Sequence, residues 1–253
     1  MSWMLVLVCI VFILFILFIL FILFILFILF SFFFNYIIIP RFARSLLGNT
    51  ANSGQNCCQG TRLYLHSSIH NEFLRRFKSR ISKLTLGPNS SPTTTIGPLI
   101  DATLYTKVQS AITQHQSISH PSTHFTYPGP IPSSGYYIPP TLFTNVSDTD
   151  PIAVKELFGP VVAVMKPFET VDEAITRANS SQYGLAAGVW TRQLETSQKC
   201  TQELECGMVW VNMYNDNPTV LPFGGWKASG LGHDLGLDAV KSFLRVKSVM
   251  SRL

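Results

Sequence analysis

Residues 161–165 read VVAVM, an unbroken apolar run, and residues 170–178 follow as TVDEAITRA. A short continuous run of this kind predicts a strand buried on both faces. In the second stretch Thr170 and Glu173 form a capping box ahead of Val171, Ala174, Ile175 and Ala178, which recur at helical spacing. A buried strand followed at once by an amphipathic helix is the repeating unit of an α/β layer.

The same unit recurs on both sides. Residues 62–66 (RLYLH) alternate apolar and polar like a strand, and Phe73, Phe77, Ile81 and Leu84 then follow at helical spacing. Asp101 is placed to cap a second helix carrying Leu104, Val108, Ala111 and Ile112 on one face. Residues 117–140, rich in Ser, Pro, His and Tyr, read as a long loop. After Gly184, LAAGVW predicts a strand, residues 194–206 a helix stopped by Gly207, and MVWVN (208–212) another strand. The fold class is therefore α/β, layered, with a largely parallel sheet, over residues 42–253.

Residues 1–41 are a separate unit. The first 39 contain no Asp, Glu, Lys, Arg or His, and the triplet Phe-Ile-Leu repeats six times between Phe12 and Leu29. An apolar stretch from residue 3 to 39 exceeds the roughly 20 residues a bilayer span needs, so a membrane-spanning helix is expected. Arg41 and Arg44 follow the stretch and nothing basic precedes it. The positive-inside rule then makes the protein single-pass with its C-terminal domain cytoplasmic. The invariant triplet also reads as translated simple-sequence DNA, and on that reading the protein is cytoplasmic without a tether.

The net charge of +5 belongs to the remainder, where Arg75, Arg76, Lys78, Arg80 and Lys83 fall on the wet side of one helix. No basic stripe or aromatic interleaving accompanies them, so no nucleic-acid partner is expected. Five cysteines without paired or zinc-like spacing point to a reducing compartment. His115, His120 and His124 sit in or near the Ser/Pro loop without companion ligands, so no metal is expected there. GLGHDLG (230–236) lacks the spacing and the preceding strand of a dinucleotide fingerprint and reads as a turn.

The stretch SGQNCCQGTR (53–62) poses the chemical question, because Cys57 and Cys58 read equally well as a nucleophile with its neighbour or as two small buried side chains. Together with KELFGPVVAV, DEAITRAN with YGLAAGVWT, and PFGGWKASGLG with VKSV downstream, in that order, it resembles the catalytic domain of the aldehyde dehydrogenase superfamily. GQNCCQGTRLYLH, GYYIPPTLFTNV and NMYNDNPTVLPFGG are most similar to its betaine-aldehyde and trimethylaminobutyraldehyde branch.

The resemblance implies that Cys57, second after Gly-Gln, attacks an aldehyde carbon to form a thiohemiacetal. Hydride then passes to NAD or NADP, and water cleaves the thioester to give an acid. Sulfur suits both halves, being nucleophilic yet a good leaving group. By the same resemblance Cys58 is a packing neighbour, Glu156 holds the nicotinamide ribose, Phe158 packs beside the nicotinamide, and Phe223 lines the aldehyde pocket. A carboxylate suits a ribose diol because it accepts two hydrogen bonds at once. Tyr214, Trp226 and Phe223 are candidate aromatic faces for a cationic aminoaldehyde. The C-terminal LRVKSVMSRL resembles a subunit-pairing strand, implying a homo-oligomer.

The chain also departs from the pattern. In the family a Rossmann-type cofactor domain, with a general-base Glu and an oxyanion-stabilising Asn, precedes the cysteine motif, and here the apolar segment occupies its place. Gln59 replaces a small residue, and His233 stands where Arg is common. Losing an oxyanion donor costs about 10²–10³ in rate and losing a general base about 10²–10⁴. The expectation is a catalytic-domain fragment with little independent turnover, and the alternative is a membrane-tethered, inactive module.

Overall fold

The computed structural model describes residues 50–118 and 123–252. Residues 3–39, on which the membrane expectation rests, lie outside them. Among the described residues no helix is long and apolar enough to cross a bilayer. In chain order these residues form β1 (Arg62–Leu63), α1 (Ser67–Ile81), α2 (Ala102–Ile118), β2 (His124–Thr126), β3 (Thr141–Val146), α3 (Pro151–Val154) and β4 (Val161–Met165), then α4 (Val171–Asn179), β5 (Tyr183–Gly184), β6 (Ala186–Val189), α5 (Leu194–Glu203), β7 (Met208–Val211), β8 (Trp226–Lys227) and α6 (Gly236–Ser242).

The apolar run at 161–165 is the centre of a four-stranded sheet ordered β1-β4-β3-β2. All five of its side chains are buried, and the alternation of a strand sorts them between two layers. Val161, Ala163 and Met165 join Val108 and Ile112 of α2 and Phe143 of β3 on one face. Val162 and Val164 join Leu74, Phe77 and Ile81 of α1 and Leu142 of β3 on the other. Phe77 and Phe143 are fully buried, each contributing about 1.5–3 kcal/mol by removal from water. Phe143 and Val146 are three apart, a separation that would put them on opposite faces. A register shift between them, with Asn145 at φ 60, brings both to the α2 side.

Local signals hold the helices where the sequence puts them. The Leu104 N–H donates to Asp101 Oδ1 at 2.8 Å, and the Glu173 N–H donates to Thr170 Oγ1 at 3.2 Å. The capping box closes one residue early, because Glu173 Oε2 accepts from the backbone of Glu169 at 3.0 Å. A smaller unit follows, in which β6 and β7 pair in parallel and, with α4 and α5, enclose Ile175, Cys200 and Leu204. Arg177 of α4 fastens the neighbouring elements. Its Nε donates to Asp148 at 2.8 Å, and its guanidinium lies over the Tyr64 ring.

Several expectations are corrected. Residues 117–140 are not one loop, since α2 runs to Ile118 and His124–Thr126 pairs antiparallel with β3, so the sheet is mixed, with its β1–β4 and β3–β4 pairs parallel and one antiparallel edge. Helix α5 ends at Glu203 with Leu204 as its cap, short of Gly207. Residues 243–252 form no strand, and their apolar side chains Val246, Val249 and Met250 are exposed. Glycines 230, 232 and 236 all take positive φ, in keeping with the expected turn.

His115 and His124 are not in a solvated loop either. His115 is buried edge-on against Phe143, with centroids 4.6 Å apart, and His124 lies on the sheet with its ring 6.2 Å from the same phenylalanine. His120 lies outside the described residues. Among those described, no three potential ligands converge on a metal site. Burial pushes the His115 imidazole below its usual 6.5, while Asp150 pulls it back. A depressed imidazole means that the unfolded chain takes up the proton first, so stability is complete above about pH 6.5 and declines below it. The urea midpoint of the protein should therefore drop between pH 7 and 5, and part of that drop should be missing in His115→Gln.

Candidate functional site

Strands β1 and β4 are parallel neighbours, with Arg62 opposite Ala163 and Leu63 opposite Val164. The segments that lead into them therefore lie at the same end of the sheet. One is the cysteine turn and the other is the 155–160 loop, so topology alone brings Cys57 to the end that carries Glu156 and Phe158.

The cysteine turn begins with three residues in the left-handed region, Asn52 (φ 52), Ser53 (φ 59) and Gly54 (φ 77). Asparagine and glycine tolerate that conformation. Ser53 is held in it by donating to the Gly97 carbonyl at 2.9 Å. Gln55 closes the turn, with its Nε2 donating to the Asn52 carbonyl at 3.1 Å and its Oε1 accepting from the Ile100 N–H at 2.9 Å. Gly54 is required on a second count. A Cβ built there would overlap the carbonyl group of Gly159, so the two backbones touch with no side chain between them.

Two further bonds lock the same joint. Gln59 Nε2 donates to the Gly159 carbonyl at 3.0 Å, and the Tyr214 hydroxyl donates to the Cys58 carbonyl at 2.7 Å. Each is worth about 1 kcal/mol net. The Tyr214 ring is stacked on Trp190 (5.8 Å, 9°) and tilted against Trp210 (4.9 Å), so the β6–β7 unit braces the turn from behind. Burial drives the Tyr214 hydroxyl well above its usual range, aided by Cys58 and Cys206, which keeps it a proton donor.

The two adjacent sulfurs occupy different surroundings. Cys57 is exposed, whereas Cys58 is buried at 4% exposure, and their Sγ atoms are 3.9 Å apart. Burial, reinforced by Cys57, pushes the Cys58 thiol up to about 12 and leaves it a poor nucleophile near neutral pH. The geometry thus separates a solvent-facing thiol from a buried neighbour. Cys200 and Cys206 are also raised by burial, Cys206 to about 11.

In the facing loop, Phe158 is half-buried and sits at φ 65, a conformation that costs a non-glycine residue about 1–3 kcal/mol. Lys107 Nζ donates to the Glu156 carbonyl at 2.8 Å, which leaves the exposed Glu156 carboxylate without an ion-pair partner among the described residues. An exposed carboxylate without an ion-pair partner, two residues before a half-buried ring, has the chemistry to accept from a ribose diol, so these residue types fit a nicotinamide nucleotide. Phe223 is not joined to this group. It is half-buried and pairs its backbone with Asp234 at 2.7 Å in both directions, and no hydrogen bond or ring contact links it to Cys57 or Phe158.

The sequence did not mark Gln59 and Tyr214 as supports of the site. Gln59 stood out only as an unusual residue, and Tyr214 as a cation-binding face. Its ring is instead enclosed by two tryptophans.

Residues 42–249 match the sequence profile of the aldehyde dehydrogenase family. The chain is 39% identical over 210 residues to a betaine aldehyde dehydrogenase of Mesorhizobium japonicum, covering 81% of this chain and 42% of that protein. It is also 39% identical over 202 residues to a mitochondrial benzaldehyde dehydrogenase of Antirrhinum majus, covering 80% and 37%. Among solved structures, an NAD+ complex of aldehyde dehydrogenase from Bacillus cereus superposes with a TM-score of 0.76 at 36% identity, covering 82% of this chain and 42% of that one. The chain thus spans well under half the length of these relatives.

The Gly54–Gly159 contact makes a direct prediction. Gly54→Ala places a methyl group on the Gly159 carbonyl at a positive φ and should cost about 1–3 kcal/mol or more. Chemical denaturation measures this, and hydrogen exchange should show the loss of protection centred on residues 53–61 and 157–160.

Proposed function

Because the chain belongs to the aldehyde dehydrogenase family, we propose that Cys57 is the nucleophile of an NAD(P)+-dependent aldehyde oxidation and that residues 42–253 carry the capture half of it. The observation that carries this reading is the separation of an exposed Cys57 from a buried, raised Cys58 on a turn fixed against the loop of Glu156 and Phe158. Cys57 Sγ adds to the aldehyde carbon, and the Cys57 proton passes to a base outside the described residues. Glu156 would hold the ribose hydroxyls of the cofactor, and Phe158 would pack on its ring. The bound nicotinamide supplies the hydride acceptor. Phe223 enters as a pocket residue on resemblance alone, and an aminoaldehyde substrate rests on the branch similarity.

Within this reading, among the described residues no carboxylate, imidazole or amine is hydrogen-bonded to Cys57, which leaves its activation to groups beyond them. The chain therefore captures aldehyde without sustained turnover. Betaine aldehyde at saturating concentration should slow alkylation of Cys57 by iodoacetamide, reversibly on dilution, while NAD+ with the same aldehyde yields no continuing NADH. Alkylation indifferent to aldehyde overturns the nucleophile assignment. Continuing NADH production that vanishes in Cys57→Ala overturns the half-reaction.

Two outlying segments complete the reading. A second copy would cover exposed Val246 and Val249 by pairing along residues 243–252. Residues 3–39 would tether the domain to the cytoplasmic face of a membrane. In cells expressing the full chain, the protein should then stay in the membrane pellet after alkaline carbonate extraction, and its release into the supernatant would show a cytoplasmic, untethered protein.

A further inference from the structure

Cys57 and Cys58 place their sulfurs on the same side of the turn, 3.9 Å apart. Successive side chains of an extended segment point to opposite faces. Here the turn prevents this, because the Cys58 N–H donates to Asn56 Oδ1 at 3.0 Å and Tyr214 holds the Cys58 carbonyl. One sulfur is open to solvent and the other lies directly behind it.

Their spacing is that of two ligands on one small centre. With zinc–sulfur bonds of about 2.3 Å, two thiolates on a tetrahedral ion lie about 3.8 Å apart. A zinc ion, however, asks for three or four protein ligands, and among the described residues no three His, Cys, Asp or Glu side chains converge. The pair instead fits an element that two sulfurs saturate.

We propose that Cys57 and Cys58 form a dithiol site for monosubstituted trivalent arsenicals, the aryl- and alkylarsine oxides. The step is a condensation. Two arsenic–sulfur bonds replace the arsenic–oxygen double bond, both thiol protons leave with that oxygen as one water, and arsenic remains trivalent. Neither oxidant nor reductant is needed. Cys57 attacks from solvent, and Cys58, kept protonated by its burial, closes the ring and gives up the second proton. Aldehyde capture needs only Cys57, so the two proposals can fail separately.

Phenylarsine oxide is the probe, added to the full chain and followed by intact mass. One phenylarsenic per chain should survive excess monothiol and be removed by 2,3-dimercaptopropanol. Cys58→Ser and Cys58→Ala should each raise the half-saturating concentration about 10²-fold or more, as loss of one arm of a two-point attachment does. Iodoacetamide should still alkylate Cys57 in both. Replacing Cys9, Cys200 and Cys206 together by Ser should leave the adduct in place. Wild-type affinity in either Cys58 variant, or loss of the adduct in the triple variant, overturns the proposal. Peptide mapping of the wild-type adduct needs no variant: both Cys57 and Cys58 should resist alkylation after unfolding in urea, and resistance of only one overturns it.

Discussion

The site depends on one backbone-to-backbone contact. Gly54 and Gly159 meet with no side chain between them, and that closeness lets a turn before one strand and a loop before its parallel neighbour act as a single surface. Adjacent parallel strands place their preceding segments side by side but do not set the distance between them. Two glycines and the Gln59 hydrogen bond set it. Every feature of the site follows from this joint, including an exposed Cys57, the Cys58 behind it, and the nearby Glu156 and Phe158.

The joint holds because the layers on both sides hold. On its sheet side, β4 is clamped between α1 and α2 by alternate side chains, and Gly159 lies so close to Val108 of α2 that the loop has no room to move away. On the other side Tyr214 passes the packing of the β6–β7 unit to the Cys58 carbonyl through one hydroxyl. Arg177, paired with Asp148 and lying over Tyr64, ties α4 to the chain just past the turn. A part-buried pair of this kind adds little net stability, and its effect is to fix position.

Periodic and local features were legible in the sequence. The run at 161–165, the Asp101 and Thr170 caps and the helix bearing Phe77 and Ile81 all stand where their patterns put them, because burial and capping act within a few residues. Long-range features were not. Strand β2 was hidden in a Pro- and Ser-rich stretch, since its His-Phe-Thr is stabilised only by the partner strand β3. His115 read as loop because its apolar partner, Phe143, is distant in sequence. Of the site, the left-handed turn at Asn52, Ser53 and Gly54 was not anticipated. The hydrogen bonds from Gln59 and Tyr214 left no sequence signal, because each joins segments about a hundred or more residues apart.

The aromatic residue nearest the cysteine turn is taken up by structure. The turn around Cys57 is braced by Tyr214, and a side chain whose hydroxyl holds the Cys58 carbonyl and whose ring contacts Trp190 and Trp210 is already committed to structure. The other aromatic residues that the sequence nominated are half-buried Phe223 and exposed Trp226. The chain is equally like relatives named for a cationic aliphatic aldehyde and for a neutral aromatic one.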